Sequence, residues 1–298
     1  MNMEQIKKVD QFIDALHKTD PKYSAREIFT WLVYAMANLS AAIGDPFSKR
    51  AQRWREEGYE YVKKLGVEAF QKLAQMVGNT LENDREQDFL GTVYQRLEMN
   101  SKDSKGQVFT PYHIGHFMAH ITYDESKPHD DKKWTVVTDP CCGAGALLLA
   151  HSNVAKAKGR TPEEEFFYVA NDIDRFCCAM TTVQLSMLGM AGVVTCSDAL
   201  LNPITGGNIF FPKTEHEDDI YYLSGCSYPV WQMRMIESII KAKVRLAEEE
   251  ILSEADKETR EPAEAEPTAE DEDTFEVVSV GECVQMTIFD LPVKEAAG

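Results

Sequence analysis

Through the first hundred positions apolar residues recur at helical spacing. Residues 25–43, AREIFTWLVYAMANLSAAI, are apolar on most sides, which predicts a buried helix stopped by Gly44-Asp45-Pro46. Residues 49–65 are amphipathic and end at Gly66, and 67–81 and 88–99 carry apolar residues three and four apart. The Trp and Tyr residues of this zone read as packing residues. From position 101 the pattern changes. Short β-branched runs stand at 134–139 (WTVVTD), 166–172 (FFYVAND), 192–198 (GVVTCSD) and 218–224 (DDIYYLS), with helical stretches at 146–158 and 175–190 between the first three. Strand–helix–strand alternation predicts parallel strands with crossover helices, hence an α/β sheet. Ligands of such sheets bind at the carboxyl ends of the strands, and three of these runs end in an acidic residue, Asp139, Asp172 and Asp198. Residues 236–255 predict one more helix. The stretch 255–273, ADKETREPAEAEPTAEDED, is too acidic and Pro-rich to bury a core and reads as a disordered linker. A short apolar segment, 275–293, follows. The expected organisation is a helical domain at 1–100, an α/β domain at 101–240, and a helix, acidic linker and terminal peptide at 241–298.

Charge sharpens this picture. Of the net charge of −18 over 298 residues, −11 lies in 241–298 and −7 in 1–240. Even the part expected to fold has no basic excess, as a protein that held DNA alone by neutralising phosphates would have. The 7 Cys are odd in number, include the adjacent pairs Cys141-Cys142 and Cys177-Cys178, and form no CxxC. That excludes a disulfide framework and a structural zinc site, leaves no metal expected, and suits buried thiols in a reducing cytoplasm. No run approaches 18 consecutive apolar residues, and the first residues carry scattered charge, so neither a membrane span nor a signal peptide is expected.

Four local patterns carry possible chemistry. Asp139-Pro140-Cys141-Cys142-Gly143-Ala144-Gly145 joins a predicted strand to a predicted helix. Its glycines let backbone approach a ligand, and the helix start offers free N–H donors. It is no dinucleotide fingerprint, since Leu148 stands where a third glycine would be, and no Gly-Lys-Ser/Thr follows. A tight turn alone would read the same way. Asn171-Asp172-Ile173-Asp174 ends the next strand; Asp172 could accept both ribose hydroxyls and Ile173 could pack on a purine, while Asp174 could cap the helix that follows. Ser197-Asp198-Ala199-Leu200 offers a carboxylate to an exocyclic amine, or a simple turn. Gly106-Gln107-Val108-Phe109-Thr110-Pro111 reads as a helix start with Thr110 as N-cap and Pro111 as first helical residue.

In this order and spacing the four patterns resemble the adenine-specific (N6) DNA methylase family, and among its members the modification subunit of type I restriction systems, in the short versions carried by plasmids and phages. The resemblance covers about residues 90–225. It implies a Rossmann-like S-adenosylmethionine-dependent methyltransferase domain behind a helical N-terminal domain, in a bacterial cytoplasm. It also implies S-adenosylmethionine as cofactor. Phe109, Thr110 and Pro111 would line its methionine end and Asp139, Gly143 and Gly145 the floor. Asp172 would hold the ribose, Ile173 the adenine face and Asp198 the adenine amine.

The pattern breaks at the base-handling motif, Asn/Asp/Ser-Pro-Pro-aromatic after the fourth strand. The run at 218–224 continues as Ser224-Gly225-Cys226-Ser227-Tyr228, with both prolines absent, so the resemblance points to Ser224 and Tyr228 as the catalytic pair. Asn202-Pro203-Ile204-Thr205 is a poorer match. The sheet would be truncated unless residues 275–290 return to it, and no target-recognition domain is visible. Two functions stay open: a DNA methyltransferase of the N6-adenine class that takes DNA through a partner, or an inactive methylase-fold binding subunit or regulator. Separately, Gln285-Met286-Thr287-Ile288-Phe289 resembles the peptide by which bacterial proteins bind the sliding clamp, Gln285, Met286, Ile288 and Phe289 being the contact positions; a strand docking back on the domain is the other reading.

Overall fold

The computed structural model describes residues 2–45, 50–97, 109–123, 134–201, 207–212, 220–259 and 284–287. Five helices lead: α1 (Met3–Thr19), α2 (Ala25–Gly44), α3 (Arg50–Leu65), α4 (Val67–Asn83) and α5 (Phe89–Arg96). α2 starts where the sequence places a capping box: the Ser24 hydroxyl accepts from the Glu27 N–H and the Glu27 carboxylate accepts from the Ser24 N–H. By length and composition it could cross a membrane, but 61% of its apolar window is buried in the protein. Its Ile28, Phe29, Leu32 and Val33 sit in one core with Val9 and Phe12 of α1 and with Phe89 and Leu90 of α5.

The second half alternates as the β-branched runs foretell. α6 (Tyr112–Thr122) leads into β1 (Thr135–Asp139), α7 (Ala146–Ala157), the single turn α8 (Pro162–Glu165), β2 (Phe166–Asp172), α9 (Arg175–Met187) and β3 (Ala191–Cys196). A two-residue hairpin, β4 (Gly207–Asn208) and β5 (Phe211–Pro212), precedes β6 (Ile220–Tyr222), a 3-10 turn at Ser224–Ser227, the long α10 (Pro229–Thr259) and β7 (Val284–Thr287). Among the described residues the main sheet runs β6-β3-β2-β1-β7. β7, β1, β2 and β3 are parallel, with Thr135 opposite Phe166 and Val284, and Phe167 opposite Ala191. The chain moves outward from β1 through β2 to β3 and returns on the other side of β1 as β7. A doubly wound sheet has its topological switch point at such a place, and ligands lie outside the carboxyl ends of the strands there.

Alternation along each strand divides the core. Val137, Tyr168, Ala170, Val194 and Tyr221 face α7, α9 and the N-terminal helices. Val136, Phe167, Val169, Val193 and Tyr222 face Phe210 and the first turns of α10 through Trp231 and Met235.

Three sequence expectations take a more definite form. Of the run at 218–224, Ile220–Tyr222 form the fourth strand, β6. β6 is antiparallel and lies outside β3, Val193 opposite Tyr222 and Thr195 opposite Ile220. The place beside β1 is taken by β7, so part of the terminal apolar segment does return to the sheet. The helix expected at 236–255 begins at Pro229 and continues to Thr259, into the first residues of the expected linker. The rest of that linker, 260–273, lies outside the described residues, as do Gly106, Gln107, Val108 and residues 202–205.

Candidate cofactor site at the carboxyl ends of the parallel strands

Asp139 closes β1 and is fully buried. Its Oδ1 accepts from the Cys141 N–H at 3.1 Å, and its Oδ2 has no hydrogen-bond partner among the described residues. Burial pushes its carboxyl up to about 6, the Cys141 N–H working against this and the charge of Asp172 adding to it. A buried carboxylate oxygen without a donor is costly, and native proteins leave few of them.

Beyond Asp139 the chain bends through Gly143 (φ +54) and Gly145 (φ +93), left-handed conformations that a Cβ would strain. Space tells the same story. A Cβ at Gly143 would lie 3.2 Å from the Phe109 ring, and one at Gly145 would lie 3.1 Å from the Thr181 hydroxyl. Gly145 is the N-cap of α7 and gives it no side-chain cap, so the first N–H groups of α7 open onto the bend.

Asp172, at the end of β2, holds this bend. Its Oδ2 accepts from the Gly143 N–H at 2.8 Å and its Oδ1 from the Asp174 N–H at 2.9 Å. Each oxygen keeps a second lone pair for a ligand. Asp174 in turn caps α9 by accepting from the Phe176 N–H at 2.8 Å, so the cap and the ligand readings of this motif coexist on different carboxylates. Ile173 stands 53% exposed between them, an apolar side chain half open to solvent.

Asp198 follows β3. Its Oδ1 accepts from the Leu200 and Leu201 N–H groups at 2.9 and 3.1 Å, and those bonds lower its pKa. It makes the simple turn and keeps its other oxygen available. The Cys141 thiol is raised first by burial and then by the charges of Asp139, Asp172 and Asp198. Phe109 lies on the Gly143 bend and tilts against Tyr94 at 5.2 Å between ring centroids. Thr110 and Pro111 are exposed beside it. The N-cap of α6 is Pro111, without a side-chain cap bond, rather than Thr110. A cavity of about 360 Å³ adjoins Phe109, lined among others by Gln5, Asp88, Gln95, Thr110 and His113.

Behind the site lies a polar framework that sequence reasoning missed. Asn171 donates to the Pro140 and Ser197 carbonyls and accepts from the Thr195 and Ser197 hydroxyls, tying the ends of β1, β2 and β3 together. On α9, Thr181 donates to the Gly143 carbonyl at 2.8 Å. Gln184 donates to the Ala144 carbonyl at 2.7 Å and to Asp88 at 2.8 Å, and accepts from the Leu90 N–H at 3.1 Å. The glycine bend is thereby fixed to α9 and to α5. The signal in the sequence was faint: Thr181 and Gln184 stand with Thr182 and Ser186 as polar residues inside a largely apolar helix.

Ser224 and Tyr228 are not brought to this place. The Leu223 N–H donates to the Gly192 carbonyl and the Gly225 N–H to the Met190 carbonyl, so Ser224 lies at the amino end of β3. At about 3.3 Å per residue, that is about 13 Å along the strand from its carboxyl end. The Ser224 hydroxyl donates to the Ser186 carbonyl at 3.1 Å and its N–H to the Ser186 hydroxyl at 3.1 Å. Tyr228, 42% exposed, has its hydroxyl beside Gly189. Among the described residues no group of three or more His, Cys, Asp and Glu is placed to hold a metal ion.

Residues 85–219 match the family model for N-6 DNA methylases. The matched segment, less than half of the chain, is similar to that family. It begins just before α5, spans β1 to β3, and contains every strand-end carboxylate described above. Two solved structures are similar. One is described as a class I S-adenosylmethionine-dependent methyltransferase from Listeria monocytogenes (16% identity, 67% of this chain, 56% of that one, TM-score 0.38). The other is the methyltransferase subunit of a type I restriction-modification system from Streptococcus thermophilus (11% identity, 68% of this chain, 60% of that one, TM-score 0.39). This chain thus spans less than two thirds of either protein. No curated protein matches.

Proposed function

We propose that the methylase segment binds S-adenosylmethionine at the switch point beside β1 and serves methyl transfer to adenine N6 in DNA. The observation that carries this reading is the Gly143 bend at the end of β1, where Asp172 accepts from the Gly143 N–H, Phe109 lies against it and the buried Asp139 precedes it. The residues fit the group. The donor-less Oδ2 of Asp139 suits a cationic or N–H-bearing ligand, the remaining lone pairs of Asp172 suit vicinal hydroxyls, and exposed Ile173 suits a purine face. Phe109, Thr110 and Pro111 would flank the methionine end, Gly143 and Gly145 would let it approach the backbone, and Asp198 would accept from the adenine amine. When bound, S-adenosylmethionine supplies an electrophilic methyl group. The chain's own contribution is to hold and orient, since catalysis by positioning needs no titrating residue at the carbon.

DNA would come through a partner, because residues 1–240 carry −7 and lack a basic excess. A second reading, a cofactor-binding subunit without turnover, is favoured by one observation: Ser224 and Tyr228 stand at the far end of β3. Gln285 and Met286 are committed to the β1 ladder, which supports the docked strand over a clamp-binding peptide there; Ile288 and Phe289 lie outside the described residues. The test is calorimetric titration of the full chain with S-adenosylmethionine and with a nicotinamide dinucleotide, together with assay of N6-methyladenine in DNA from cells that express the chain with its neighbouring genes. Binding of the first ligand alone and gain of methyladenine are expected. Binding without methylation leaves the second reading, and no binding overturns both.

A further inference from the structure

Two thiols flank the loop that carries Asp172 and Ile173. α9 starts two residues after Ile173, so its first turn stays beside the end of β2, and Cys178 in that turn is fully buried. Its Sγ lies 3.4 Å from the Asp172 carbonyl and 3.3 Å from the Thr195 carbonyl, within donating distance of both. Cys196 closes β3, opposite Asp172 in the parallel ladder, and its thiol donates to the Ile173 carbonyl at 3.7 Å. The two thiols also hydrogen-bond to one another. Cys196 is partly exposed, so solvent reaches the pair from one side only.

We propose that Cys178 and Cys196 form a reversible modification site, which a peroxide closes to a disulfide and a small thiol reopens. Cys196, as the sulfur that solvent reaches, attacks the peroxide O–O bond as its thiolate. An S–O bond forms, the O–O bond breaks, and the leaving oxygen departs as water with the thiol proton. Burial keeps Cys178 protonated, which suits it to the second step rather than the first. Its sulfur attacks Cys196, the S–O bond breaks, and the hydroxyl leaves as water with the Cys178 proton. Two thiols and one hydrogen peroxide thus give one disulfide and two waters.

Closure reaches the loop. Both S–H donors are consumed. The Asp172 carbonyl keeps the Ser197 N–H at 3.1 Å, but the Ile173 carbonyl gives up its bond to Cys196. An S–S bond also draws α9 and the end of β3 closer than a hydrogen bond does, so the Asp172-Ile173 loop between them has to shift. That the shift weakens cofactor binding rests on the S-adenosylmethionine reading above; the cross-link itself does not.

The test treats the full chain with hydrogen peroxide, alkylates the remaining thiols and cuts with chymotrypsin without reduction, since Leu185 and Leu188 lie between the two cysteines. Mass spectrometry should find Cys178 joined to Cys196. The link should vanish in Cys178→Ser and in Cys196→Ser, persist in Cys177→Ser, and open with dithiothreitol. Serine keeps a hydroxyl donor for the same carbonyls, so both variants should fold. Loss of one weak hydrogen bond with a shifted loop should lower S-adenosylmethionine affinity about 5-fold. Dithiothreitol should restore it, Cys196→Ser should be indifferent to peroxide, and Cys141→Ser should still respond. Cys196 joined to another cysteine, Cys196 oxidised to sulfinic acid without a link, or both thiols alkylated after peroxide would overturn the proposal. A link with unchanged affinity would overturn its effect on the loop. Failure of the reduced chain to bind S-adenosylmethionine while the link still forms would overturn the proposed function and not the modification site.

Discussion

The two ends of the parallel sheet are built from similar small polar residues and differ in what those residues still lack. At the amino end of β3, Ser224 and Ser186 exchange both hydroxyl and backbone hydrogen bonds, Ser227 donates to the Ser224 carbonyl, and Cys226 pairs with both backbone groups of Gly192. Every one of these bonds is internal. At the carboxyl ends, among the described residues Asp139 keeps an oxygen without a donor, Gly143 and Gly145 leave backbone bare of side chains, and Ile173 is apolar and exposed. A folded chain tolerates such costs where a ligand offsets them. The contrast locates the site more securely than residue type does, since the serine motif that resembled a catalytic one stands at the satisfied end.

Asp172→Ala should produce the largest effect. It removes the anchor of the Gly143 N–H along with the acceptor for a ribose. Hydrogen bonds to a charged group contribute about 1.5–3 kcal/mol, so S-adenosylmethionine affinity should fall by about 100-fold. Calorimetric titration reads this directly. An affinity within twofold of the unaltered chain would place the cofactor elsewhere.

Asp139→Asn sharpens the same contrast with a smaller effect and a definite sign. The carboxyl sits near 6 in the folded chain against 3.8 for the ordinary group, so the folded state holds the proton more tightly. Between those values folding takes up a proton, and this residue's contribution to stability is lost as pH rises from 3.8 to about 6. The full penalty above that window is about 3 kcal/mol at 1.36 kcal/mol per unit. Asn escapes it but brings an amide that needs its own acceptor, so a gain of about 1–2 kcal/mol is expected at pH 7.5 and none at pH 4. Urea denaturation at both values checks it. Cofactor affinity should move the other way, falling about 10-fold, and the unaltered chain should bind more tightly as pH rises through 6.

Much of the fold could be read before the structure. α2 was legible because its run is apolar on most sides and stops at Gly44-Asp45-Pro46, and β1 to β3 because β-branched runs and acidic residues at their ends bound them. The direction of β6 was not legible. Alternation along Ile220–Tyr222 gives a period of two and nothing about which neighbour it meets or which way it runs. The neighbour of β1 was hidden for a different reason: it comes from Val284–Thr287, nearly 150 residues further along the chain. In the site, Asp139, Asp172 and Asp198 could be named because they end strands. Asn171, Thr181 and Gln184 could not, because their partners stand on other elements; the bond from the Leu90 N–H to Gln184 spans 94 residues.

Ser224→Ala and Tyr228→Phe test the satisfied end, where the smallest effect is expected. Ser224→Ala removes one hydroxyl bond to the Ser186 carbonyl, worth about 1 kcal/mol, and leaves the Ser224 N–H to Ser186 bond in place. Tyr228 is 42% exposed, so loss of its hydroxyl should change stability by less than about 0.5 kcal/mol. Neither residue reaches the glycine bend, so S-adenosylmethionine affinity should be unchanged in both variants, and any methyl transfer the assembled protein performs should keep its rate. A large fall in turnover with cofactor affinity intact would mean that the amino end of β3 approaches the substrate after all, and the division of the sheet into a satisfied end and a binding end would fail.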